Sequence, residues 1–417
     1  MIKILTLYQA QRLILAHTTS TVAEIVPLDQ ALGRVPTVAI RARLAVPAFA
    51  QSCRDGFALR AKDTGSEPVN LQILGEIPAG WTRPTKKLQP GQAYRIMTGG
   101  MLPPGADSVI AFEEAGREEA EMVVLSGPYP RGAHIRAVGA DLRRNQVIVR
   151  SGTEISPEHL PRLATAGVDE LPVYARPRVG LLCTGNELLE DPAENPEPGN
   201  LIGGNRFLLA GLIRRYGGEP VNLGIVKDDA SAIAAALVAR MSGATHRSSC
   251  CSNGGLDLII STGGMGPGKY DLVARALASL KSETLYHQLR LRPGKATLAA
   301  LLGDCRQTLF FGLPGPPPVV CLLFYLLIAP ALRRAQGYRQ PRPVMVKAHL
   351  SQPLKLRCQG GIVQLKGAIL ETARGRLLVR QIGPGEVHNA IILAPAKRRE
   401  LKKDELVTVQ PISTGFC

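Results

Sequence analysis

Four short turns that contain glycine or acidic residues, each placed directly after an apolar β-like run, carry most of the chemistry in this chain. Glycines and acids recur in them: Thr184-Gly185-Asn186-Glu187, Lys227-Asp228-Asp229, Ser261-Thr262-Gly263-Gly264 and Gly312-Leu313-Pro314-Gly315. In an open parallel α/β sheet, ligands bind outside the carboxyl ends of the strands. We therefore expect the four turns to converge on one ligand site.

The third turn has the composition of a phosphate cradle. It runs on through Gly268 towards a helix expected to begin near Asp271, so that backbone N–H groups can face an anion there. The segment lacks the Lys-Ser/Thr tail of a P-loop and the usual dinucleotide fingerprint. The alternative interpretation is a glycine-rich turn that binds no ligand.

Acids beside a phosphate site require a cation, because a carboxylate would otherwise repel the ligand. Mg²⁺ is commonly held by one or two carboxylates together with phosphate oxygens, and Asp228 and Asp271 are the predicted metal ligands. The alternative is that Asp228 or Asp229 caps the following helix and that Asp271 caps its own. Glu187 is predicted to hold a ligand hydroxyl or amine, or else to be an ordinary surface acid.

Arg292-Pro293-Gly294-Lys295 places two cations about a tight turn. Such a turn suits an oxyanion or a phosphate, and an exposed hairpin is the alternative. The rigid turn that contains Pro314 and Gly315 precedes a helix. Its assignment as a ligand-binding element depends on the neighbouring turns.

The surrounding pattern predicts how these turns are positioned. Strand-like and helix-like segments alternate from about 174 to 337, which predicts βαβ units and a doubly wound sheet. Residues 242–255 interrupt this pattern as a predicted surface loop. We expect a mixed α/β linking domain at 1–45 and 136–173, a β-rich domain at 46–135, the α/β domain at 174–337 and a C-terminal β domain at 338–417.

Composition limits the partners and the compartment. A formal charge of +16 favours an anionic partner, and the alternative interpretation is a solvated basic surface. Aromatic residues make up only 4% of the chain, which disfavours base stacking on nucleic acid. The apolar segment from Val319 is expected to be too short to cross a bilayer. Eight cysteines without CxxC spacing argue against zinc and fit a reducing cytoplasm.

Eight motifs in fixed order resemble those of the molybdopterin molybdenumtransferase family, MoeA and the gephyrin E domain. They are SxxDGFA (Ser52 to Ala58), IMTGG (Ile96 to Gly100), TGNE, NRF (Asn205 to Phe207), KDD, STGGMGPGKYD, RPGK and GLPG. The resemblance spans nearly the whole chain. It implies a four-part subunit with a MogA-like α/β domain, which dimerises and contacts other cofactor-biosynthesis proteins or molybdoenzymes.

The resemblance also implies an activity and a set of site residues. Adenylylated molybdopterin and molybdate are the implied substrates, and the adenylate is cleaved with Mg²⁺ as molybdenum enters the dithiolene. The implied catalytic residues, some from the partner subunit, are Asp55, Thr98, Asp141, Asp228 and Asp271. The implied cofactor-binding residues are Gly185, Glu187, Asn205, Ser261, Gly263, Gly264, Arg292, Pro293, Gly294, Lys295, Pro314 and Gly315.

The chain departs from the family pattern at several positions. Asparagine replaces an acid at Asn186, and the other departures are Arg54, Ala140, Gly203 and Pro316. These departures leave a second hypothesis open, a catalytically weakened paralogue that carries molybdopterin or molybdate as a scaffold. A nucleotide-dependent oxidoreductase is disfavoured because the dinucleotide fingerprint is missing.

Overall fold

The N-terminal segment supplies one helix to the α/β domain and two strands to a different part of the protein. The structure, a computed structural model, describes residues 4–242, 255–266, 271–303, 307–357, 360–373, 375–395 and 398–412. Its first elements are β1 (Ile4–Leu5), α1 (Leu7–His17), β2 (Ala23–Pro27) and β3 (Ile40–Arg41). Thr6 and Gln9 close α1 with a capping box, and the apolar face of α1 joins the core of the α/β domain.

A β-rich region follows, built on one six-stranded sheet. Its elements are β4 (Gln51–Ser52), β5 (Gly56–Leu59), β6 (Val69–Ile77), β7 (Gln92–Ile96), β8 (Ser108–Ala111), β9 (Glu118–Glu119), β10 (Met122–Leu125) and β11 (Ile135–Arg136). The order in the sheet is β8-β5-β7-β6-β10-β9. Because Gly56 of β5 pairs with Ile96 of β7, the turn before β5 lies beside the turn after β7.

The chain then returns to the N-terminal strands. The returning elements are β12 (Val147–Val149), α2 (His159–Thr165) and β13 (Glu170–Tyr174). Strand β12 pairs with β3, and β13 pairs with β2, both antiparallel, and these strands share one apolar core. We propose that this unit is the linking domain, with α1 assigned by its packing to the α/β domain.

The α/β domain is the largest unit. Its elements are β14 (Arg178–Thr184), β15 (Leu188–Leu189), β16 (Leu201–Ile202), α3 (Gly204–Arg215), β17 (Glu219–Val226), α4 (Ala230–Ser242), β18 (Leu258–Thr262), α5 (Leu272–Ala278), β19 (Ser282–Tyr286), β20 (Gln288–Leu289), β21 (Leu291–Arg292), β22 (Leu298–Leu302), β23 (Thr308–Leu313), α6 (Pro317–Leu323) and α7 (Ala329–Ala335). The predicted loop at 242–255 falls mostly outside the described residues.

The α/β sheet has the order β17-β14-β18-β23-β22-β19. The first four strands are parallel, and one apolar cluster covers each face of the sheet. The predicted doubly wound α/β domain is therefore confirmed. Strands β22 and β19 add an antiparallel edge that the sequence pattern did not predict.

A continuous helix from Pro317 to Ala335 forms the centre of the larger cluster. Residues Phe324–Ile328 join α6 to α7 with π-helical geometry. Among the described residues this is the helix with the length and composition of a membrane span, so the expectation that the apolar segment is too short was wrong. However, 72% of its apolar window is buried inside the protein, as expected for a core helix.

The C-terminal region is a β domain attached directly to the α/β domain. Its strands are β24 (Val346–Leu350), β25 (Leu354–Lys355), β26 (Val363–Ala373), β27 (Arg376–Gln381), β28 (Ala390–Pro395), β29 (Glu400–Leu401) and β30 (Leu406–Pro411). Strand β26 pairs in parallel with β21, so that Arg292 lies opposite Gln364. This pairing fixes the turn that begins at Arg292 between the two domains.

Candidate active site

The polar turns lie at the carboxyl ends of the four parallel strands and contact one another. Gly263 packs so closely on the first turn that an added Cβ would lie 2.3 Å from the carbonyl oxygen of Thr184. Its φ of +92° also favours glycine. The Gly263 N–H donates to the carbonyl of Leu313 at 3.1 Å, so it joins the third turn to the fourth and is not available to a ligand.

The first and second turns are joined by a side chain that departs from the family pattern. Asn186 Oδ1 accepts a hydrogen bond from the backbone N–H of Asp228 at 3.1 Å. A carboxylate at this position could accept the same bond, whereas asparagine does so without a negative charge. Asn186 therefore fixes the second turn through the backbone of Asp228 and leaves the Asp228 carboxylate exposed.

Asp228 and Asp229 have different roles. Asp229 Oδ1 accepts the N–H of Ala232 at 2.8 Å, which is an N-cap bond for α4. The cap hypothesis is thus confirmed for Asp229. The Asp228 side chain is exposed and forms no hydrogen bond or ion pair with any described residue.

Asp271 is held by a histidine. His287 Nε2 lies 2.7 Å from Asp271 Oδ2, and the two side chains are 20% and 19% exposed. Asp271 occupies the N-cap position of α5, but its side chain makes no capping bond. Its second oxygen, Oδ1, is buried and has no hydrogen-bond partner among the described residues.

Two further buried polar atoms lie near the strand ends. Asn205 Nδ2 donates to the Gly315 carbonyl at 2.7 Å, which ties the start of α3 to the fourth turn. The Asn205 Oδ1 and the Ser261 Oγ are buried without a hydrogen-bond partner in the described structure. Unpaired buried polar atoms are costly, and a polar ligand can satisfy them.

The turn from Arg292 to Lys295 is not an exposed hairpin. Gly294 is buried with φ +104°, and a Cβ there would lie 2.8 Å from Leu323 of α6. The Leu289 N–H donates to the Lys295 carbonyl at 3.0 Å. Arg292 and Lys295 form no ion pair with other described residues, so both cations are available to an anion.

Glu187 folds back onto its own turn. Its carboxylate lies against Gly185, where an added Cβ would be 2.7 Å from Glu187 Oε2. The side chain is nevertheless exposed. The structure is therefore compatible with both predicted roles, the ligand contact and the surface acid.

The N-terminal acids are fixed within their own region. Asp55 Oδ1 accepts from the Thr98 backbone N–H at 2.6 Å and from its hydroxyl at 2.8 Å. These two bonds, the backbone bond first, lower the pKa of Asp55. Asp141 pairs with Arg136 and borders a cavity of about 610 Å³ that Arg143 and Arg144 also line.

The structure thus brings the predicted site residues together in two groups. One group comprises the strand-end turns of the α/β domain, and the other comprises Asp55 with Thr98, and Asp141. Among the described residues, no hydrogen bond or ion pair joins the second group to the α/β domain. No cluster of three metal-ligating side chains occurs in the described part of the chain.

Sequence reasoning missed His287 and the anchoring role of Asn186. His287 directly follows strand β19, which was not predicted, so the rule that placed polar residues at strand ends could not be applied to it. Asn186 was noted as a lost carboxylate, but its hydrogen bond to the next strand depends on the folded sheet.

Comparison with known proteins identifies the fold and the family. Residues 5–167 match the MoeA N-terminal region (domain I and II), and residues 180–334 match a probable molybdopterin binding domain. A crystal structure of a molybdopterin biosynthesis MoeA protein from Pyrococcus horikoshii superposes with a TM-score of 0.82 at 27% identity, covering 99% of this chain and 100% of that one.

Relatives from bacteria are similar along most of their length. The molybdopterin molybdenumtransferase of Nostoc sp. (strain PCC 7120) is 33% identical over 78% of this chain and 72% of the relative. That of Haemophilus influenzae is 28% identical over 98% and 99%. The fold is an α/β domain of the probable molybdopterin binding type with appended β-rich domains. The two family matches and the relatives show that the chain belongs to the molybdopterin molybdenumtransferase family, MoeA.

Proposed function

We propose that the protein inserts molybdenum from molybdate into adenylylated molybdopterin and releases AMP, as a step of molybdenum cofactor biosynthesis. The transferase class is that of the relatives named molybdopterin molybdenumtransferase, which align with most of the chain. The observation that supports the proposal is the contiguous set of strand-end turns, together with Asp271 Oδ1, which is buried without a partner among the described residues. The specific substrates follow from the family and from this chemistry.

Mg²⁺ fits the acids of the α/β domain. Asp271 Oδ1 is a buried carboxylate oxygen without a partner in the described structure. Asp228 is an exposed carboxylate that follows β17, which is separated by β14 from β18, the strand that precedes Asp271. Two carboxylates suffice, because Mg²⁺ keeps waters and substrate phosphate oxygens as its other ligands. When bound, the ion would neutralise charge on the phosphoanhydride and act as a Lewis acid.

The chain's own cations suit the anionic substrates. Arg292 and Lys295 are free of ion pairs within the described structure, on a turn fixed between two domains. Molybdate is a doubly charged oxyanion, and guanidinium and ammonium groups bind such oxygens through charge-assisted hydrogen bonds. We assign Arg292 and Lys295 to molybdate or phosphate binding, and the turns bearing Gly185, Asn205, Ser261, Gly264, Pro314 and Gly315 to the pterin substrate.

We propose a homodimer in which the partner copy supplies Asp55, Thr98 and Asp141. These residues lie beside a patch of exposed apolar side chains, which are Leu44 at 52%, Phe49 at 43%, Met101 at 36% and Val138 at 56% exposure. Backbone bonds join the segments that carry them, for example Leu102 N–H to the Ala50 carbonyl and Gly139 N–H to the Pro47 carbonyl. An exposed apolar patch beside immobilised acids is typical of a subunit interface.

We place the reaction in the cytoplasm. Cys53, Cys183 and Cys321, the cysteines in the described part of the chain, all carry free thiols. A reducing compartment keeps such thiols unpaired. Contacts with other cofactor-biosynthesis proteins or molybdoenzymes remain part of the proposal, favoured by the basic charge of +16.

The direct test is AMP release and molybdenum transfer by the purified protein supplied with adenylylated molybdopterin, molybdate and Mg²⁺. We expect turnover in the wild type and its loss in Asp271→Ala. Tight binding of the pterin without AMP release, in the wild type and Asp271→Ala alike, would select the carrier hypothesis and reject the enzyme.

A further inference from the structure

His287 is a polar residue whose backbone is fixed on both sides. It follows β19, which pairs with β22 through Tyr286 and Ala299, and precedes β20, which pairs with β1 through Gln288 and Ile4. The register of β19 shifts between Thr284 and Tyr286. Such irregularities re-aim side chains near functional sites, and here the shift directly precedes His287.

The contact between His287 and Asp271 leaves one oxygen of the acid for another partner. Nε2 lies 2.7 Å from Oδ2, which is within ion-pair distance. An ionised carboxylate can only accept, so a hydrogen bond in this contact requires the proton on Nε2. The same carboxylate leaves Oδ1 buried and unpaired among the described residues.

The burial of the His287–Asp271 pair determines how strongly this contact holds the carboxylate of Asp271. Both side chains are about four-fifths shielded from solvent, so that water competes poorly for Oδ2. A close polar partner on one oxygen restricts the rotamer of the carboxylate and therefore the direction of the other oxygen. Partners of this kind hold metal ligands in place, and their loss typically costs about 10- to 100-fold in metal affinity or activity.

We infer that His287 is a positioning residue that holds Asp271 with Oδ1 directed at the divalent cation of the reaction. The inference rests on the proposed function, because the cation is that of adenylate cleavage. His287 touches neither substrate nor metal in this assignment. It acts through Asp271 alone, by the close contact of Nε2 with Oδ2.

Two substitutions separate hydrogen bonding from packing. His287→Gln keeps an N–H donor on a side chain of similar reach, whereas His287→Phe keeps the ring and removes the donor. A role in packing alone would be satisfied better by phenylalanine. His349→Phe is the matched control, because His349 bonds the Asp404 carbonyl through Nδ1 in the C-terminal domain.

The first measurement is a titration of the full-length protein with Mn²⁺ alone. The electron paramagnetic resonance signal of the free ion reports how much Mn²⁺ remains unbound. Asp271→Asn serves as the reference for loss of the site. We expect His287→Phe to weaken Mn²⁺ binding by about 10- to 100-fold, with a much smaller change in His287→Gln and none in His349→Phe. Equal Mn²⁺ affinity in the wild type and His287→Phe would overturn the inference, as would a wild type whose Mn²⁺ binding does not depend on Asp271.

The second measurement is the Mg²⁺ concentration that half-saturates AMP release. It should rise in His287→Phe and return towards the wild-type value in His287→Gln, while KM for the pterin substrate changes little. Equal impairment by Gln and Phe would contradict the inference. If the wild type releases no AMP, the proposed function fails, and the Mn²⁺ comparison still decides whether His287 positions Asp271.

Discussion

The acids of the α/β domain and those of the N-terminal region are held in different ways. In the α/β domain, Asp228 is fixed through Asn186 on the neighbouring strand end, and Asp271 through His287 at the sheet edge. In the N-terminal region, Asp55 and Asp141 are fixed within exposed turns beside an apolar patch. In the proposed site, the sheet assembles one half by itself, whereas the other half would be supplied by the partner copy.

The largest expected effect comes from removing a single acid, either in the α/β domain or in the N-terminal region. Asp271→Asn and Asp55→Asn should each lower the rate of AMP release by roughly 10²- to 10³-fold, the usual cost of losing one electrostatic group at a reacting centre. Steady-state kinetics at saturating Mg²⁺ check this prediction. A full rate in Asp55→Asn would remove the N-terminal region from the site.

A smaller effect should distinguish the two adjacent acids of the second turn. Asp229→Ala removes the N-cap bond of α4 and should lower the free energy of unfolding by about 0.5–2 kcal/mol. Asp228→Ala should instead weaken Mg²⁺-dependent turnover and leave unfolding unchanged. Denaturant titration and metal-dependent kinetics measure the two effects, and the reverse assignment would refute the separation of roles.

The smallest expected effect lies in the N-terminal half. The Thr98 N–H and hydroxyl both lower the pKa of Asp55. Thr98→Val removes the hydroxyl bond and keeps the larger backbone contribution, so the pKa of Asp55 should rise only part of the way towards its ordinary value. Carbon-detected NMR titration of the carboxyl group measures this shift. A fall in the pKa would show that the hydroxyl bond is not what stabilises the charged form.

Local patterns predicted the four parallel strands and the turns that end them, because each strand is a compact apolar run followed by glycine or an acid. They did not predict β19 and β22, since the chain between them carries the turn at Arg292 and pairs partly with the distant strand β26. The distinction between Asp228 and Asp229, and the role of His287, could not be predicted for a related reason. Each depends on a contact that exists only after distant segments have packed.

The most direct test of a site shared between two subunits is a mixed dimer that carries Asp55→Asn on one chain and Asp271→Asn on the other, isolated with two affinity tags. One of its two sites would combine intact halves from both chains, so we expect about half of the wild-type AMP release. A mixed dimer of Asp228→Asn with Asp271→Asn, both in the α/β half, should stay inactive. No recovery in the first mixed dimer would contradict the shared site and place both acids of each site on a single chain.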